Sequence, residues 1–284
     1  MTGMTEQGTE GFASSAVIDL EAVSTWPTQL LAYLEAHREV FLDWANGPVR
    51  VDAATYDRAI YGLIDAMQPY ALIGWHCARL TDREIVAIGV SGMWLPDAAM
   101  LIRRINAAIE EGFLTTAMGD RLKAKNQAHE NNRAGMVWFC FFPPRLAGEG
   151  GIGDLLRFWG GEALYNSHDR HPETAAVLRS VGMPSIVEAE VPIAFLEPHG
   201  GLAFKVVRRY LISRGYETQE PCEHQDRVKQ PLPAGCIRRV ISFPTPDFLE
   251  LSGCEFWREP LMLPQRREEA QRIAKRCSER RKKK

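Results

Sequence analysis

The chain has 284 residues, of which 45% are hydrophobic and 25% are charged, and its formal net charge is -2. This composition is ordinary for a globular protein, and the length is enough to bury a sizeable core. The near-neutral charge excludes an overall field that would attract nucleic acid or an anionic membrane.

The cysteine spacing and the hydropathy of the chain indicate the cellular compartment. The six cysteines are scattered without a CxxC pair, and no leading apolar segment resembles a signal peptide. No apolar run is long enough to span a membrane. We therefore expect a cytoplasmic protein with reduced thiols and no membrane partner.

The N-terminal quarter is predicted to be helical after a short leader. Residues 1–15 are small, polar and glycine-rich, which indicates a disordered leader. Apolar side chains recur at helical spacing over residues 25–44. A second helix is predicted over residues 52–67, with Asp52 as its N-terminal cap. Residues 16–69 thus form an N-terminal helical segment.

A strand and three helices are predicted next. The apolar run over residues 70–76 predicts a strand that ends at His76. Thr81-Asp82-Arg83-Glu84 has the capping-box pattern, which predicts that a helix begins there. Apolar spacing predicts two more helices, over residues 96–111 and 114–131.

The second half predicts a small mixed sheet. Continuous or alternating apolar runs predict three further strands, over residues 136–142, 185–193 and 236–243. The glycines of residues 148–153 indicate a mobile surface loop, and a short helix is predicted from Asp154. Another helix is predicted over residues 200–214, whereas the chain from Pro246 onward is irregular.

We therefore predict the α+β class. Residues 70–257 form one domain, in which a small mixed sheet is accompanied by helices. Residues 258–284 form a basic tail, and a charged helix is predicted over residues 268–283. A tail of this kind is either a solvated helix end or an arm that contacts phosphates.

Two segments carry residue types suited to holding a nucleoside. His76 can donate a hydrogen bond to a ribose hydroxyl from one ring nitrogen while the backbone holds the other. Gly160 and Gly161 allow the backbone to approach a flat ligand, and Tyr165 offers a stacking face with a polar tip. A carboxylate would complete the site, because a departing base leaves oxocarbenium-like charge on the sugar.

The order of these residues resembles a known family. From Tyr70 to Phe248 the chain carries His76, then Gly92-Met93, then Tyr165 and later acidic residues. This order is similar to the ADP-ribosyltransferase fold of the diphtheria-toxin and poly(ADP-ribose) polymerase type. The resemblance implies a split sheet and NAD as substrate. It implies that His76 contacts the adenosine ribose and that Tyr165 stacks on nicotinamide.

Further residues follow from the same resemblance. Cys77, Gly160 and Gly161 accompany His76 and Tyr165 in the expected NAD-binding set. Ala78 departs from the family, which often has a hydroxyl residue two places after the histidine.

The resemblance also implies a carboxylate that holds the nicotinamide ribose. Glu188 lies on the strand after Tyr165, whereas the family usually places the acid just before the last strand. Glu223 and Asp226 lie there, and Asp226 has about the family's spacing. Its side chain is one carbon shorter than that of glutamate, so the choice among the three acids stays open.

The resemblance implies an NAD-consuming glycosyltransferase that releases nicotinamide and modifies a macromolecular acceptor, either nucleic acid or protein. A bacterial toxin or defence effector, with an antitoxin or regulatory partner, is the implied setting. Two alternatives stay open. One is an NAD glycohydrolase, and the other is a non-catalytic nucleotide-binding or interaction protein that keeps a degenerate fold.

Other motifs are weaker. Residues 148–153 match G-x-G-x-x-G, but five residues separate them from the preceding strand, so the tight turn of a Rossmann site is missing. His168, His171, Cys222 and His224 are of types that bind zinc, but nothing in the sequence forces them together. We expect no metal, and no G-x-S-x-G motif supports a serine hydrolase.

Overall fold

The computed structural model describes residues 16–46, 50–196, 200–217 and 223–263. Within these ranges it contains eleven α-helices and six β-strands. The helices are α1 (Thr28–Ala36), α2 (Arg38–Asn46), α3 (Ala53–Met67), α4 (Asp82–Ser91), α5 (Ala98–Glu110), α6 (Thr116–Ala124), α7 (Gly148–Arg157), α8 (Glu162–His168), α9 (Pro172–Ser180), α10 (Gly200–Ser213) and α11 (Pro246–Ser252). The strands are β1 (Val17–Ile18), β2 (Ala71–Leu80), β3 (Val137–Cys140), β4 (Met183–Pro192), β5 (Gln225–Val228) and β6 (Ile237–Ser242).

The chain divides into two compact units. Unit 1 takes its described residues from 16–72, 192–194 and 200–217, and unit 2 takes them from 73–191, 195–196 and 223–263. The helix α10 therefore falls in unit 1, whereas the sequence predicts one continuous domain over residues 70–257.

Contacts within unit 1 explain why α10 belongs there. The Tyr210 hydroxyl donates a hydrogen bond to the Glu35 carboxylate, and the ring of Phe204 lies parallel to that of Tyr56, with 6.4 Å between ring centroids. Tyr210 is fully buried. These contacts join segments more than 140 residues apart, so local sequence patterns do not reveal them.

Two helices of unit 1 replace the single helix predicted over residues 25–44. His37 separates α1 from α2 and has non-helical dihedrals. Its ring Nδ1 lies 2.9 Å from the Tyr33 carbonyl oxygen, which also accepts the His37 N–H, and its ring stacks on that of Tyr33. A side chain that inserts into the hydrogen-bond ladder interrupts a helix. The following helix, α3, begins as predicted, because the Asp52 carboxylate accepts from the Thr55 N–H.

The sheet has the strand order β5-β3-β2-β4-β6. β2 pairs antiparallel with β3, and β3–β5 and β4–β6 are also antiparallel. Within unit 1, β1 runs parallel to the first residues of β2, with Val17 opposite Ala71. The α+β class and the mixed sheet are therefore confirmed. The described strands all belong to one sheet, in which β2 lies between β3 and β4.

A helical core in unit 2 packs around Trp159, whose side chain is fully buried. The core unites residues from α5, α6, α8 and α9. Its buried members are Leu101, Ile105, Ala108, Leu114, Leu122, Ala128, Phe158, Trp159, Leu164, Ala175, Leu178 and Val181. This apolar cluster fixes the positions of α5 and Trp159.

Two regions predicted as irregular are helical. Residues 148–153 were expected to form a loop, but they are the first residues of α7, which buries Ile152 and Leu156 on one face. The chain after Pro246 forms α11, with Pro246 in the first turn and Gly253 in the left-handed conformation after its last residue. Proline at the start and glycine after the end are typical helix limits.

Several predictions lie outside the described residues. They are the leader over residues 1–15, most of the basic tail, the terminal helix over residues 268–283, and Cys222. Among the residues that the structure describes, no helix is both long and apolar enough to cross a membrane.

Candidate functional site

His76 lies on the central strand β2 and is partly exposed. The register of β2 and β3 places it opposite Phe139, and the two ring centroids are 5.9 Å apart. Its Nδ1 is 2.9 Å from the carbonyl oxygen of Trp138. A carbonyl only accepts, so Nδ1 carries the hydrogen and Nε2 of the neutral ring is an acceptor.

The surroundings keep this ring neutral. Burial lowers the pKa of His76, and the positive charge of Arg104 lowers it further, although the Trp138 carbonyl acts in the opposite direction. Near neutral pH, Nε2 therefore presents a lone pair. It can accept a hydrogen bond from a hydroxyl, whereas the sequence led us to expect that the ring donates.

Arg104 belongs to an interlocked group at the start of α4. Glu84 accepts from the Thr81 N–H at 2.8 Å, from the Arg104 Nε at 2.5 Å and from the Trp159 indole at 3.0 Å. The Thr81 hydroxyl accepts from the Glu84 N–H, which confirms the predicted capping box. Burial alone would raise the pKa of Glu84, but the Arg104 charge and these donors hold it below its ordinary value.

A cleft of about 630 Å³ opens over this group. Its walls come from α4, α5, the segment between them, and Trp159. The lining residues are Thr81, Arg83, Glu84, Ala87, Trp94, Leu95, Asp97, Met100, Arg103, Arg104, Ala107, Ala108, Glu111 and Trp159. The size falls within the range of small-molecule sites.

Two residues of the cleft are available to a ligand. Trp94 is 62% exposed and presents an indole surface. Arg103 is exposed, and the described part of the chain gives it no ion pair, whereas Arg83 pairs with Glu111 and Arg104 with Glu84. An exposed indole and a free guanidinium suit a ligand that has a flat ring and an anionic group.

Cys77 lies on the other face of β2. Successive residues of a strand point to opposite sides, so Cys77 is directed away from His76. It is buried, and a thiol–thiol hydrogen bond with Cys140, together with burial, raises its pKa well above the ordinary value. A ligand on the His76 face therefore does not touch the Cys77 side chain.

Tyr165 lies on α8, at the edge of the helical core. Its ring packs on that of Phe158 at 5.8 Å between centroids, and its hydroxyl is 3.4 Å from the Glu162 carboxylate. Burial and then the nearby charge of Glu162 raise the pKa of this phenol. Neither Tyr165 nor His76 is among the residues that line the cleft.

Gly160 and Gly161 form the turn that leads into α8, and both have positive φ angles. A side chain at Gly160 would also collide with Leu164, since a Cβ there would lie 2.4 Å from a Leu164 methyl carbon. This pair of glycines therefore meets a backbone and packing requirement of unit 2.

Glu188 lies on β4 directly opposite Arg239 of β6. Its carboxylate accepts from the Arg239 Nε at 3.0 Å and lies 3.5 Å from the Arg238 guanidinium. The residue is buried. Glu188 is thus engaged in an ion-pair network with two arginines of the neighbouring strand.

Asp226 lies on β5 directly opposite Phe139. It shares a row with Phe139 and His76 across three strands and points to the same face as both. Two strand spacings separate the backbones of Asp226 and His76 by roughly 10 Å. The carboxylate is buried, accepts from the Arg227 N–H at 2.7 Å and lies 3.9 Å from the His224 ring. Glu223, by contrast, is exposed and precedes β5.

The structure therefore brings His76 and Asp226 to one face of the sheet and leaves Tyr165 at the edge of the helical core. The sequence analysis missed Glu84, Arg104 and Trp94. Glu84 was visible only as a helix-capping residue, and its pairing with Arg104 joins two different helices. The exposed Trp94 follows directly on the Gly92-Met93 pair, which was a usable signal.

Among the zinc-type residues, His168 and His171 are neighbours, since the His171 N–H donates to the His168 carbonyl at 3.1 Å. His168 is buried, with Nε2 2.7 Å from the Lys125 carbonyl oxygen. Among the described residues there is no group of three or more histidine, cysteine or acidic side chains that could hold a metal ion. Comparison of the chain with protein-family models, with curated proteins and with solved structures finds no match.

Proposed function

We propose that the protein binds NAD at His76 and in the cleft whose wall includes Arg104, the arginine whose charge acts on His76, and that it transfers the ADP-ribosyl group of NAD to a macromolecular acceptor. The observation that carries the proposal is the tautomer of His76. Since the Trp138 carbonyl holds Nδ1, the neutral Nε2 can accept from a ribose hydroxyl. The lowered pKa of His76 keeps that acceptor available at neutral pH.

The cleft supports the same proposal. Trp94 offers a surface on which an adenine ring can stack, and Arg103 offers a guanidinium for the pyrophosphate. The order of His76, Gly92-Met93 and later acids, which resembles ADP-ribosyltransferases, agrees with this use of the cleft. Tyr165 has no part in this version of the site.

Asp226 is the acid that we assign to the nicotinamide ribose, because it faces the same side of the sheet as His76. In the reaction the bond between nicotinamide and C1′ of the ribose breaks, and nicotinamide leaves with the electron pair. A nucleophile of the acceptor then bonds to C1′ and loses its proton. A carboxylate near C1′ would stabilise the positive charge that develops on the sugar.

A second candidate function is nucleotide binding without catalysis. It is favoured by the burial of Asp226 and Glu188, both of which are already engaged, one with the backbone of Arg227 and the other with Arg239. An acid that cannot reach the sugar would leave a binding protein with no transferase activity.

The test measures binding and turnover separately. NAD affinity is determined by calorimetry, and nicotinamide release from labelled NAD is followed with and without cell-derived acceptors. We expect His76→Phe to weaken NAD binding by roughly tenfold, since the phenyl ring has no acceptor in place of Nε2. The matched control His171→Phe changes an exposed histidine and should bind NAD as the unaltered chain does.

Acid variants distinguish the two candidates. Under the transferase proposal, Asp226→Asn abolishes nicotinamide release while NAD still binds, and Glu223→Gln has no effect. Binding without any nicotinamide release would identify the non-catalytic protein. Release that survives Asp226→Asn but not Glu188→Gln would move the catalytic role to Glu188. Label released only as free ADP-ribose would identify a hydrolase.

A further inference from the structure

An apolar surface patch lies where α9 meets the last described residues of the chain. Met262 and Leu263 are 50% and 51% exposed, and with residues of α9 they line a cavity of about 490 Å³. The apolar residues of this wall, here called the α9 patch, are Pro172, Ala175, Ala176, Val177, Met262 and Leu263. A continuous apolar surface that is open to water commonly marks a site of interaction with a protein or a membrane.

The backbone that carries Met262 and Leu263 is held in place by polar contacts. The Met262 carbonyl accepts from the Arg79 Nη2 at 3.0 Å. Three residues earlier, the Glu259 N–H donates to the Glu149 carboxylate at 3.1 Å. These bonds use backbone atoms of the segment, so the two apolar side chains stay exposed on a fixed support.

The chain continues from Leu263 into a strongly basic segment. Residues 264–284 contain ten lysines and arginines and three glutamates, a net charge of +7. Since the whole chain carries -2, residues 1–263 carry -9. Arg266 and Arg267 follow Leu263 by three and four residues, so the length of the chain keeps them within about 15 Å of it. Positive charge therefore begins beside the α9 patch.

Acidic side chains next to the patch are already paired. Glu173, which follows Pro172, lies 3.2 Å from the Arg121 guanidinium. Glu259 lies 3.6 Å from the buried guanidinium of Arg157. Both carboxylates are thus compensated by arginines, and their repulsion of an anionic partner is reduced.

We propose that the α9 patch and residues 264–284 together bind the surface of an anionic membrane. Met262 and Leu263 enter the boundary between headgroups and acyl chains, and the basic residues contact the lipid headgroups. A polybasic segment adds to apolar insertion, and two such features together anchor a protein more stably than either alone.

The apolar part of the surface favours lipid over nucleic acid. Nucleic acid would use the same basic residues, but the aliphatic side chains of Met262 and Leu263 offer no stacking face to a base. Surface binding needs no membrane-spanning helix, so it agrees with the hydropathy from which we expected no membrane partner. The α9 patch shares no lining residue with the NAD cleft, and the inference is independent of the proposed function.

The first test uses the full chain and sedimented vesicles of phosphatidylcholine, with and without phosphatidylserine. We expect binding to the vesicles that contain phosphatidylserine, and binding should weaken as added salt screens the charges. The combined variant Lys282→Gln, Lys283→Gln and Lys284→Gln should bind roughly tenfold or more weakly. The matched control replaces the same three lysines by arginine, which keeps the charge, and should bind as the unaltered chain does.

The second test changes the apolar contact without changing charge. The double variant Met262→Ser and Leu263→Ser should weaken vesicle binding by roughly tenfold or more. Arg79 donates to the Met262 backbone, which serine retains, so thermal unfolding should show a folded chain. The control Val86→Ser and Val90→Ser removes two side chains of α4 that are 65% and 75% exposed, and it should bind vesicles as the unaltered chain does.

The proposal fails if the chain does not bind the phosphatidylserine vesicles or binds both kinds of vesicle equally. It also fails if the double serine variant binds as tightly as the unaltered chain. Single-stranded RNA that binds more tightly than the vesicles, and equally well to the double serine variant, would assign residues 264–284 to nucleic acid instead.

Discussion

The two faces of β2 put neighbouring residues to different uses. On one face, His76 is partly open, with one ring nitrogen held by a carbonyl and the other available. On the other face, Cys77 and Arg79 are 4% and 1% exposed and are surrounded by protein. One uninterrupted strand thus carries a candidate binding residue, His76, on one face and two buried side chains, Cys77 and Arg79, on the other. The comparison shows that adjacency in sequence is a poor guide to a shared site.

The largest expected effect is a loss of stability on substitution of Arg79, on the buried face of β2. Arg79→Met keeps an unbranched apolar stem but removes the donors to the Val181 and Met262 carbonyls. We expect the free energy of unfolding to fall by about 2–4 kcal/mol, since hydrogen bonds from a charged group are the strong ones. Urea denaturation of the two proteins measures this loss in the free energy of unfolding. Equal losses for Arg79→Met and His76→Phe would show that the two faces do not differ as described.

An intermediate effect is expected from the buried thiols. Cys77→Ala removes a buried sulfur that contacts Cys140, and it should lower the free energy of unfolding by about 1 kcal/mol. NAD affinity should be unchanged, because Cys77 faces away from His76. Calorimetry of this variant beside His76→Phe provides the check, and a matching loss of NAD affinity in both variants would place the two residues in one site.

The smallest effect is a change in pH dependence. The pKa values of His76 and His168 are both lowered, in each case first by burial. As the pH falls below about 6.5, the unfolded chain takes up protons at these residues before the folded chain does. Their contribution to stability is therefore full above that pH and is lost as the pH falls through the lowered folded-state values.

The measurement is the free energy of unfolding between about pH 5 and pH 7, within the window set by an ordinary histidine pKa. His76→Gln and His168→Gln should each flatten part of the decline. A decline that persists in the double variant of His76 and His168 would assign the pH dependence to other groups.

Local signals in the sequence predicted much of the fold correctly. The caps Asp52 and Thr81 each require only a side-chain oxygen and an N–H three residues on, so their patterns are reliable. The break at His37 was invisible, because it depends on how one ring contacts Tyr33. Residues 148–153 were read as a loop on glycine content alone, although Ile152 and Leu156 supply a buried helical face.

The site was harder to predict than the fold. The choice of His76 as a candidate rests on a local signal, the apolar run that predicts a strand ending at this residue. Arg104 joins the site only through Glu84, which lies on another helix, and Asp226 reaches the His76 face only because β3 separates β5 from β2. Tertiary pairings of this kind have no local signature. The position of Tyr165 after Gly160-Gly161 and the order of the family therefore predict it in the site, although it packs on Phe158.

The carboxylate of Glu84 connects three parts of unit 2 that would otherwise respond separately to a molecule bound in the cleft. It closes the first turn of α4 at Thr81, holds Arg104 in the cleft wall and satisfies the indole of Trp159 in the core. Anything that displaces Arg104 must therefore disturb the bond to the Thr81 amide. Hydrogen–deuterium exchange at that single amide should report occupation of the cleft, even by a molecule that never touches α4.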